Sequence, residues 1–197
     1  SREAIERFVK YACTTHMSDP ANILDAGIIS VNKDIFDMAN SNRDYSGMGT
    51  TFVAASLVEN HVYIANVGDS RLYLIGRDIR QITRDHSLVE DMVRMGVLER
   101  EEARTHYKKN VITKAIGVAD DKTSTPDIFE IEVENGDKLL LCSDGLTNMV
   151  EDYDIKKIVK DNDSIEDAVR ELIKQANENG GKDNISAILI EPEIGEE

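Results

Sequence analysis

The sequence has little positive charge and no long apolar run. Its 197 residues include 23 lysines and arginines against 38 aspartates and glutamates, and the formal net charge of -15 is spread along the chain. Nucleic acid and anionic membranes repel such a surface, so neither is expected as a partner. No apolar stretch is long enough to span a bilayer, and the first residues lack the apolar segment of a signal peptide. We therefore expect a cytoplasmic protein.

Cysteine is also scarce, and the two cysteines, Cys13 and Cys142, lie far apart without C-x-x-C spacing. Each has apolar neighbours, so both are predicted to be reduced residues of the core. The sequence has no low-complexity linker and no internal repeat, and 41% of its residues are hydrophobic. A chain of this length and composition can bury one core, so a single domain over residues 1–197 is expected.

The first forty residues are predicted to be helical. Four apolar residues recur there at helical spacing: Ile5, Phe8, Val9 and Ala12. Asp19-Pro20 then supplies an N-cap and a proline at the first position of a second helix. Near the end of the chain, Ser164 and Asp167 resemble a capping box. The helix that they open ends at Gly180-Gly181, and residues 185–190 are predicted to form the last strand.

The middle of the chain changes to strand periodicity. Runs 51–58, 61–67 and 71–75 are rich in β-branched and apolar residues and are joined by very short turns, which predicts an antiparallel meander. Asn135-Gly136 is a typical hairpin turn, predicted to join strand 128–133 to strand 138–142. Helices and strands are segregated rather than alternating, which favours an α+β fold with helices packed on antiparallel sheets.

Three aspartates stand beside glycine at predicted strand ends: Asp69, Asp144 and Asp183. Taken singly, each is most often a turn or cap residue. If the three ends converge, two carboxylates at about 4 Å repel by about 4 kcal/mol at an effective dielectric of about 20, and a cation or protonation must relieve this. Oxygen ligands without cysteine or paired histidine indicate a hard ion, Mg²⁺ or Mn²⁺. Periodicity does not show which strands are neighbours.

Five short motifs occur in order along the chain. They are Gly47-Met48-Gly49-Thr50-Thr51, Ala65-Asn66-Val67-Gly68-Asp69-Ser70-Arg71, Asp85-His86-Ser87-Leu88, Ser143-Asp144-Gly145 and Gly181-Lys182-Asp183-Asn184-Ile185-Ser186. In this order they closely resemble the metal-dependent PP2C-type (PPM) serine/threonine phosphatases of the bacterial type, over nearly the whole chain. The resemblance implies a β-sandwich of two antiparallel sheets flanked by helices, with a dinuclear Mn²⁺ or Mg²⁺ centre at one edge.

Carried over by position, the resemblance implies that Asp144 and Asp183 are ligands of the dinuclear centre. It implies that Asp69, together with Asp144, belongs to a third and weaker metal site. Asn184 follows a ligand and is expected to support it from behind through a hydrogen bond. The segment of about 86–110 corresponds to the flap beside the family's active site. Considered without the resemblance, it is an ordinary surface helix and loop.

The first two strands of the family carry three functional groups: an arginine for the substrate phosphate, an Asp-Gly whose aspartate bridges both metals, and a histidine proposed as general acid. None of these three groups has a counterpart in the chain. His16, the only early histidine, does not follow an Asp-Gly pair. We therefore expect an N-terminally truncated phosphatase that lacks the first strands. No catalytic residue is identifiable in this chain, and by itself it is expected to be inactive or very weak.

The expected function of the intact protein is hydrolysis of phosphoserine and phosphothreonine in proteins by a metal-activated water, with two or three Mn²⁺ or Mg²⁺ ions. The expected partners are phosphorylated proteins, meaning a serine/threonine kinase and its substrates, and further copies of the chain through exposed strand edges. Two alternatives stay open. One is a non-catalytic, pseudophosphatase-like regulatory module, and the other is a sporulation- or stress-type regulatory phosphatase of the same fold.

Overall fold

The computed structural model describes residues 1–119 and 125–195, which form two β-sheets with helices on their outer faces. The described helices are α1 (Arg2–Thr14), α2 (Pro20–Ser41), α3 (Leu88–Arg94), α4 (Arg100–Ala103), α5 (Asp144–Thr147), α6 (Asp152–Asp161) and α7 (Ile165–Glu178). The described strands are β1 (Phe52–Val58), β2 (His61–Val67), β3 (Arg71–Ile75), β4 (Ile79–Gln81), β5 (Asp127–Glu132), β6 (Lys138–Cys142) and β7 (Ala187–Ile190). None of the described helices has both the length and the apolar content needed to cross a membrane.

The two sheets pack face to face around a shared core. One sheet has the order β1-β2-β5 and the other β4-β3-β6-β7, and all neighbouring strands are antiparallel. The cluster between them combines Val62 and Ile64 of β2 with Leu72 of β3 and Leu139 and Leu141 of β6. Helices α1 and α2 cover the first sheet, and α6 and α7 cover the second. The predicted α+β sandwich of two antiparallel sheets flanked by helices is confirmed.

The two predicted helix starts are confirmed, and each carries its cap. The Asp19 carboxylate accepts the backbone N–H of Asn22 at 2.9 Å, and Pro20 occupies the first position of α2. Ser164 precedes α7, and its Oγ accepts the N–H of Asp167 at 3.0 Å. These side chains satisfy amide groups that a helix leaves unpaired at its start.

Two predicted strand pairings are wrong, because both turns cross from one sheet to the other. Strands β1 and β2 form the predicted pair, but β3 leaves them and pairs with β4 and β6, so no meander forms. At Asn135-Gly136 the chain makes a tight turn, with the Asp137 N–H donating to the Glu134 carbonyl at 3.1 Å, yet β5 pairs with β2 and β6 with β3. Periodicity identifies strands, whereas the need to bury two apolar faces against each other assigns strands to sheets.

Two smaller predictions also need correction. Cys142 is buried in β6, but Cys13 is exposed on α1, so only one cysteine belongs to the core. The buried face of α1 passes through Ala4 and Phe8, and Cys13 lies off that face. The last strand begins at Ala187 rather than at residue 185, because the two preceding residues belong to the loop that contacts the end of β6.

Candidate metal centre

The antiparallel register of the four-stranded sheet brings three aspartates to one edge. Arg71, the first residue of β3, pairs with Cys142, the last residue of β6, and Cys142 pairs with the first residue of β7. The start of β3, the end of β6 and the start of β7 therefore lie side by side. Asp69, Asp144 and Asp183 stand just outside these three strand ends.

Asp69 follows a turn that requires glycine. Gly68 has a φ of 109°, and a Cβ at this position would lie 2.4 Å from Cγ2 of Thr51. The Gly68 amide donates to Nδ1 of His86 at 2.9 Å, so Nδ1 is the unprotonated nitrogen of that ring. The Gly68 carbonyl accepts from Nδ2 of Asn66 at 3.2 Å. Side chains therefore hold the backbone on both sides of the Gly68 α-carbon, directly before Asp69.

Asp144 is the first residue of α5, and Ser143 joins it to the end of β6. Ser143 ties this point to β7, because its Oγ accepts the N–H of Ser186 at 3.0 Å and its own N–H donates to the Ser186 carbonyl at 3.0 Å. Ser143 Oγ also donates to the Asn184 carbonyl at 3.2 Å. A Cβ at Gly145 would lie 2.3 Å from that carbonyl oxygen. Ser143 and Gly145 therefore bring the start of α5 against the loop before β7.

Asp183 and Asn184 are exposed in the loop before β7. Oδ1 of Asp183 accepts the backbone N–H of Asn184 at 2.7 Å. Asn184 also contributes the carbonyl that Ser143 contacts, so it supports the loop through its backbone. A supporting role for the Asn184 side chain behind the metal ligands stays a prediction.

Asp69 and Asp144 both have raised pKa values. Burial raises the pKa of Asp69 to about 6, and the charges of Asp144 and Asp85 act in the same direction. Burial also raises the pKa of Asp144, and the charge of Asp183 adds to this. Each of the two carboxylates is therefore stabilised by protonation or by a nearby cation. Such a group of acids is a candidate functional site.

The donor atoms at this edge fit a hard divalent ion, because they are carboxylate oxygens. The structure brings Asp69, Asp144 and Asp183 to the same edge. Within residues 1–119 and 125–195, however, no three acidic, histidine or cysteine side chains are already arranged around one point as a metal cage. The aspartates thus supply part of a coordination sphere, and water, backbone or substrate oxygens would have to complete it.

Sequence reasoning missed a charged network beside the aspartates. Arg71 makes a bidentate salt bridge to Asp85, with N–O distances of 2.7 to 3.1 Å, and donates to Oη of Tyr73 at 2.8 Å. The Arg71 and Asp85 side chains are only 21% and 12% exposed. Arg71 lowers the pKa of both Asp69 and Asp144, which partly offsets their burial. Both residues belong to recognisable motifs, but nothing in the sequence indicates that they meet.

The predicted flap, segment 86–110, lies beside the aspartates. A cavity of about 80 Å³ is lined by Asp69 and Asp144 from the sheet edge and by Arg104 and Lys109 from the segment. The segment also contributes Arg100 and Glu90, which form a salt bridge with each other, so it places three cationic and one acidic side chain in the lining of this cavity. Its role as a flap stays a prediction.

Comparison with known proteins agrees with this architecture. The family model for Protein phosphatase 2C matches residues 2–185. The chain is 44% identical over 169 residues to the serine/threonine phosphatase stp of Listeria innocua serovar 6a. The matched residues cover 85% of this chain and 66% of that protein. It is 43% identical over 147 residues to the protein phosphatase PhpP of Streptococcus pneumoniae. Here the matched residues cover 74% of this chain and 59% of that protein.

Solved structures that resemble this one are also serine/threonine phosphatases. The serine/threonine phosphatase Stp1 from Staphylococcus aureus matches with a TM-score of 0.91 and 39% identity, over 98% of this chain and 77% of that one. The catalytic domain of the serine/threonine protein phosphatase PstP, in complex with 2 manganese ions, matches with a TM-score of 0.84 and 29% identity, over 96% and 78% of the two chains. The chain spans 66% and 59% of the two curated relatives above. It belongs to the Protein phosphatase 2C family.

Proposed function

We propose that this chain is part of a metal-dependent protein phosphatase that hydrolyses phosphoserine and phosphothreonine. The observation that carries the proposal is the arrival of Asp69, Asp144 and Asp183 at one sheet edge, where the pKa values of Asp69 and Asp144 are raised. Membership of the family and the names of the relatives support the reaction. The two manganese ions in the PstP structure support Mn²⁺ or Mg²⁺ as the cofactor.

In this proposal, Asp144 and Asp183 would hold the divalent ions of the dinuclear centre, and Asp69 with Asp144 would hold a third, weaker ion. A bound Mn²⁺ or Mg²⁺ supplies a water of lowered pKa and offsets charge on the phosphoryl oxygens. The residues of the chain position the ligands: the Ser143 contacts fix the start of α5, and the Gly68 turn fixes the approach to Asp69. None of the chain's own residues is proposed as nucleophile or general acid.

Cationic side chains line the cavity beside the aspartates. A phosphorylated serine or threonine carries about -2 charge at neutral pH, and Arg104 and Lys109 border the same cavity as Asp69 and Asp144. Lys109, which has no salt-bridge partner among the described residues, would attract the phosphate, and the aspartates would hold the ions. Phosphorylated proteins are therefore the proposed substrates, and a serine/threonine kinase that produces them is a proposed partner.

The test combines metal binding with hydrolysis. Mn²⁺ binding to the chain is measured by calorimetry, and hydrolysis of p-nitrophenyl phosphate and of phosphoseryl and phosphothreonyl peptides is measured with and without Mn²⁺. We expect Asp144→Asn and Asp183→Asn to weaken Mn²⁺ binding at least about tenfold and to lower any Mn²⁺-dependent hydrolysis. The control Asp163→Asn replaces an exposed acid between α6 and α7 and should change neither. Metal-independent turnover, or unchanged binding in Asp144→Asn, would refute the proposal.

A non-catalytic regulatory module of the same fold is the second candidate. It is favoured by the incomplete metal cage in the described part of the chain. Because the chain alone is expected to be inactive or very weak, the full-length protein must be assayed, and Mn²⁺ binding by that protein without any hydrolysis would support this candidate over the enzyme. A regulatory phosphatase of the sporulation or stress type would differ from the first proposal in its substrate, and a panel of phosphopeptides would show a single strong preference.

We also propose that the chain self-associates through its strand edges. In the described chain, β1 pairs only with β2, and β7 pairs only with β6. These two edges border a groove of about 290 Å³, lined in part by Val53 and Ile188. Open edges invite pairing with another chain. Light scattering should show dimers or larger species that Val53→Lys and Ile188→Lys convert to monomers, and a monomer at every concentration would contradict the idea.

We propose a cytoplasmic location because one of the two cysteines is an exposed free thiol. Cys13 is a free thiol on the exposed surface of α1. Exposed free thiols persist in reducing compartments, whereas oxidising compartments convert them to disulfides. Localisation of a fluorescent fusion, with a diffuse cytoplasmic signal as the expected result, tests this proposal.

A further inference from the structure

We propose that Asn148 is a positioning residue that couples the docking of segment 86–110 to the orientation of the Asp144 carboxylate. The inference rests on the proposed function, in which Asp144 is a metal ligand. Asn148 bridges the two parts directly: its side chain contacts Asp144 on one side and Lys109 of the segment on the other. A cation at Asp144 and the docked segment should therefore stabilise each other.

The contact with Asp144 is fixed by the geometry of α5. The Asn148 N–H donates to the Asp144 carbonyl at 2.8 Å, which places the two side chains on the same face, one helical turn apart. Nδ2 of Asn148 then donates to Oδ2 of Asp144 at 3.0 Å. A donor on one carboxylate oxygen restricts rotation of the group about its Cβ–Cγ bond. Partners of this kind orient metal ligands in proteins.

The contact with the segment uses the other end of the same amide. Nζ of Lys109 donates to Oδ1 of Asn148 at 3.1 Å. Lysine only donates and a carboxylate only accepts, so the amide has one favourable orientation between them. A flipped amide would place NH₂ against the ammonium group and oxygen against the carboxylate. Asn148 is therefore a neutral bridge whose two hydrogen bonds fix each other's geometry.

The segment has a second contact, or anchor, that does not involve Asn148, so its docking can be tested separately from the Asn148 bridge. Arg104 pairs with Glu151 at 2.7 Å, just beyond α5, so the segment is attached to this region at two points. Only the Lys109 anchor reaches a residue that holds Asp144. Loss of the Arg104 anchor should loosen the segment and leave the Asp144 carboxylate in place. Loss of Asn148 should affect both.

Thermodynamic linkage gives the expected behaviour. If the docked segment favours cation binding at Asp144, the cation must favour docking by the same factor. Removing a partner that orients a metal ligand typically weakens metal binding by about 10- to 100-fold. Asn148→Ala changes no charge, so a loss of Mn²⁺ affinity in this variant reports orientation rather than a changed electrostatic field.

The experiment measures Mn²⁺ affinity by calorimetry and deuterium uptake of peptides from residues 95–110 by mass spectrometry, with and without Mn²⁺. We expect Mn²⁺ to lower uptake in the unmodified chain. In Asn148→Ala, affinity should fall about tenfold and the effect of Mn²⁺ on uptake should disappear. Lys109→Met should abolish the effect of Mn²⁺ on uptake, Lys109→Arg should restore it, and Lys108→Met, at the exposed neighbouring lysine, should behave like the unmodified chain.

The Arg104→Met variant should raise uptake, lower the Mn²⁺ affinity less than Asn148→Ala does, and still show lower uptake when Mn²⁺ is added, because the bridge from Lys109 through Asn148 to Asp144 is intact. Unchanged affinity in Asn148→Ala, with its thermal melting temperature preserved, would overturn the coupling. An equal effect of Mn²⁺ on uptake in Lys109→Met and in the unmodified chain would overturn it too. Failure of the unmodified chain to bind Mn²⁺ is a different result, because it refutes the metal site of the proposed function and the coupling with it.

Discussion

Replacing Asp69 by its neutral isostere should stabilise the chain in the absence of divalent ions. Asp69→Asn keeps the size and planarity of the side chain and removes a negative charge that burial and the neighbouring Asp144 both disfavour. Residues kept for function often lower stability in this way. A purely structural turn aspartate would give the opposite result, because its loss would remove a favourable hydrogen bond.

The size of the effect follows from the pKa of Asp69, which is raised from 3.8 to about 6. A shift of about 2 pKa units corresponds to about 3 kcal/mol. Asp69 is only half-buried, so solvent screening reduces this to about 2 kcal/mol. A raised folded-state pKa gives stability that is fully present below pH 3.8 and is lost as the pH rises through about 6. The gain from Asp69→Asn is therefore largest above about pH 7 and shrinks towards pH 4.

Urea unfolding at several pH values, without and with Mn²⁺, measures the difference between the variant and the parent chain. The expected gain of about 2 kcal/mol corresponds to a rise of about 4 to 8 °C in melting temperature for a domain of this size. Added Mn²⁺ should stabilise the parent chain more than the variant, because binding to the folded state adds to stability. Asp163→Asn should show neither effect. If Asp69→Asn is no more stable than the parent chain at about pH 7.5, the claim that burial and repulsion among these acids destabilise the chain is refuted.

Three further predictions concern the residues around this edge. Arg71→Met should destabilise the fold by about 3 to 5 kcal/mol in urea unfolding, because it leaves the largely buried carboxylate of Asp85 without its cationic partner and with Gln81 as its remaining side-chain donor, and a loss below about 1 kcal/mol would contradict this. Gly68→Ala should cost more than about 1 kcal/mol, because the new Cβ meets Thr51 and the φ of 109° is strained for alanine; an unchanged melting temperature would show that the turn relaxes freely. Burial and the charge of Lys114 lower the pKa of His86, so its contribution to stability is fully present above pH 6.5 and is lost as the pH falls through the lowered folded-state value. In His86→Asn, which keeps an acceptor for the Gly68 amide, the loss of stability below pH 6.5 should be smaller, and an identical pH profile would exclude His86 as its source.

Local rules predicted most of the individual elements. Asp19 and Ser164 open α2 and α7 as expected, because a cap needs only a side-chain oxygen and the amides that follow it in the chain. The strands were found by their periodicity, which reflects one buried face. The three aspartates were found because each combines a strand end, a glycine and a carboxylate within a few residues. All of these signals are carried by neighbours in sequence.

The sequence by itself therefore determined two helix starts, the approximate positions of the described strands other than β4, and the identity of the acidic residues. Only the tertiary structure decided which sheet each strand joins, and so which carboxylates meet: Asp69 and Asp144 are adjacent because β3 pairs with β6 rather than with β2. It also decided the Arg71–Asp85 pair and the bridge from Lys109 through Asn148 to Asp144. These contacts join residues far apart in sequence, and they form because packing two sheets and their helices around one core leaves each strand a single place in which its apolar side chains are buried and its backbone is paired.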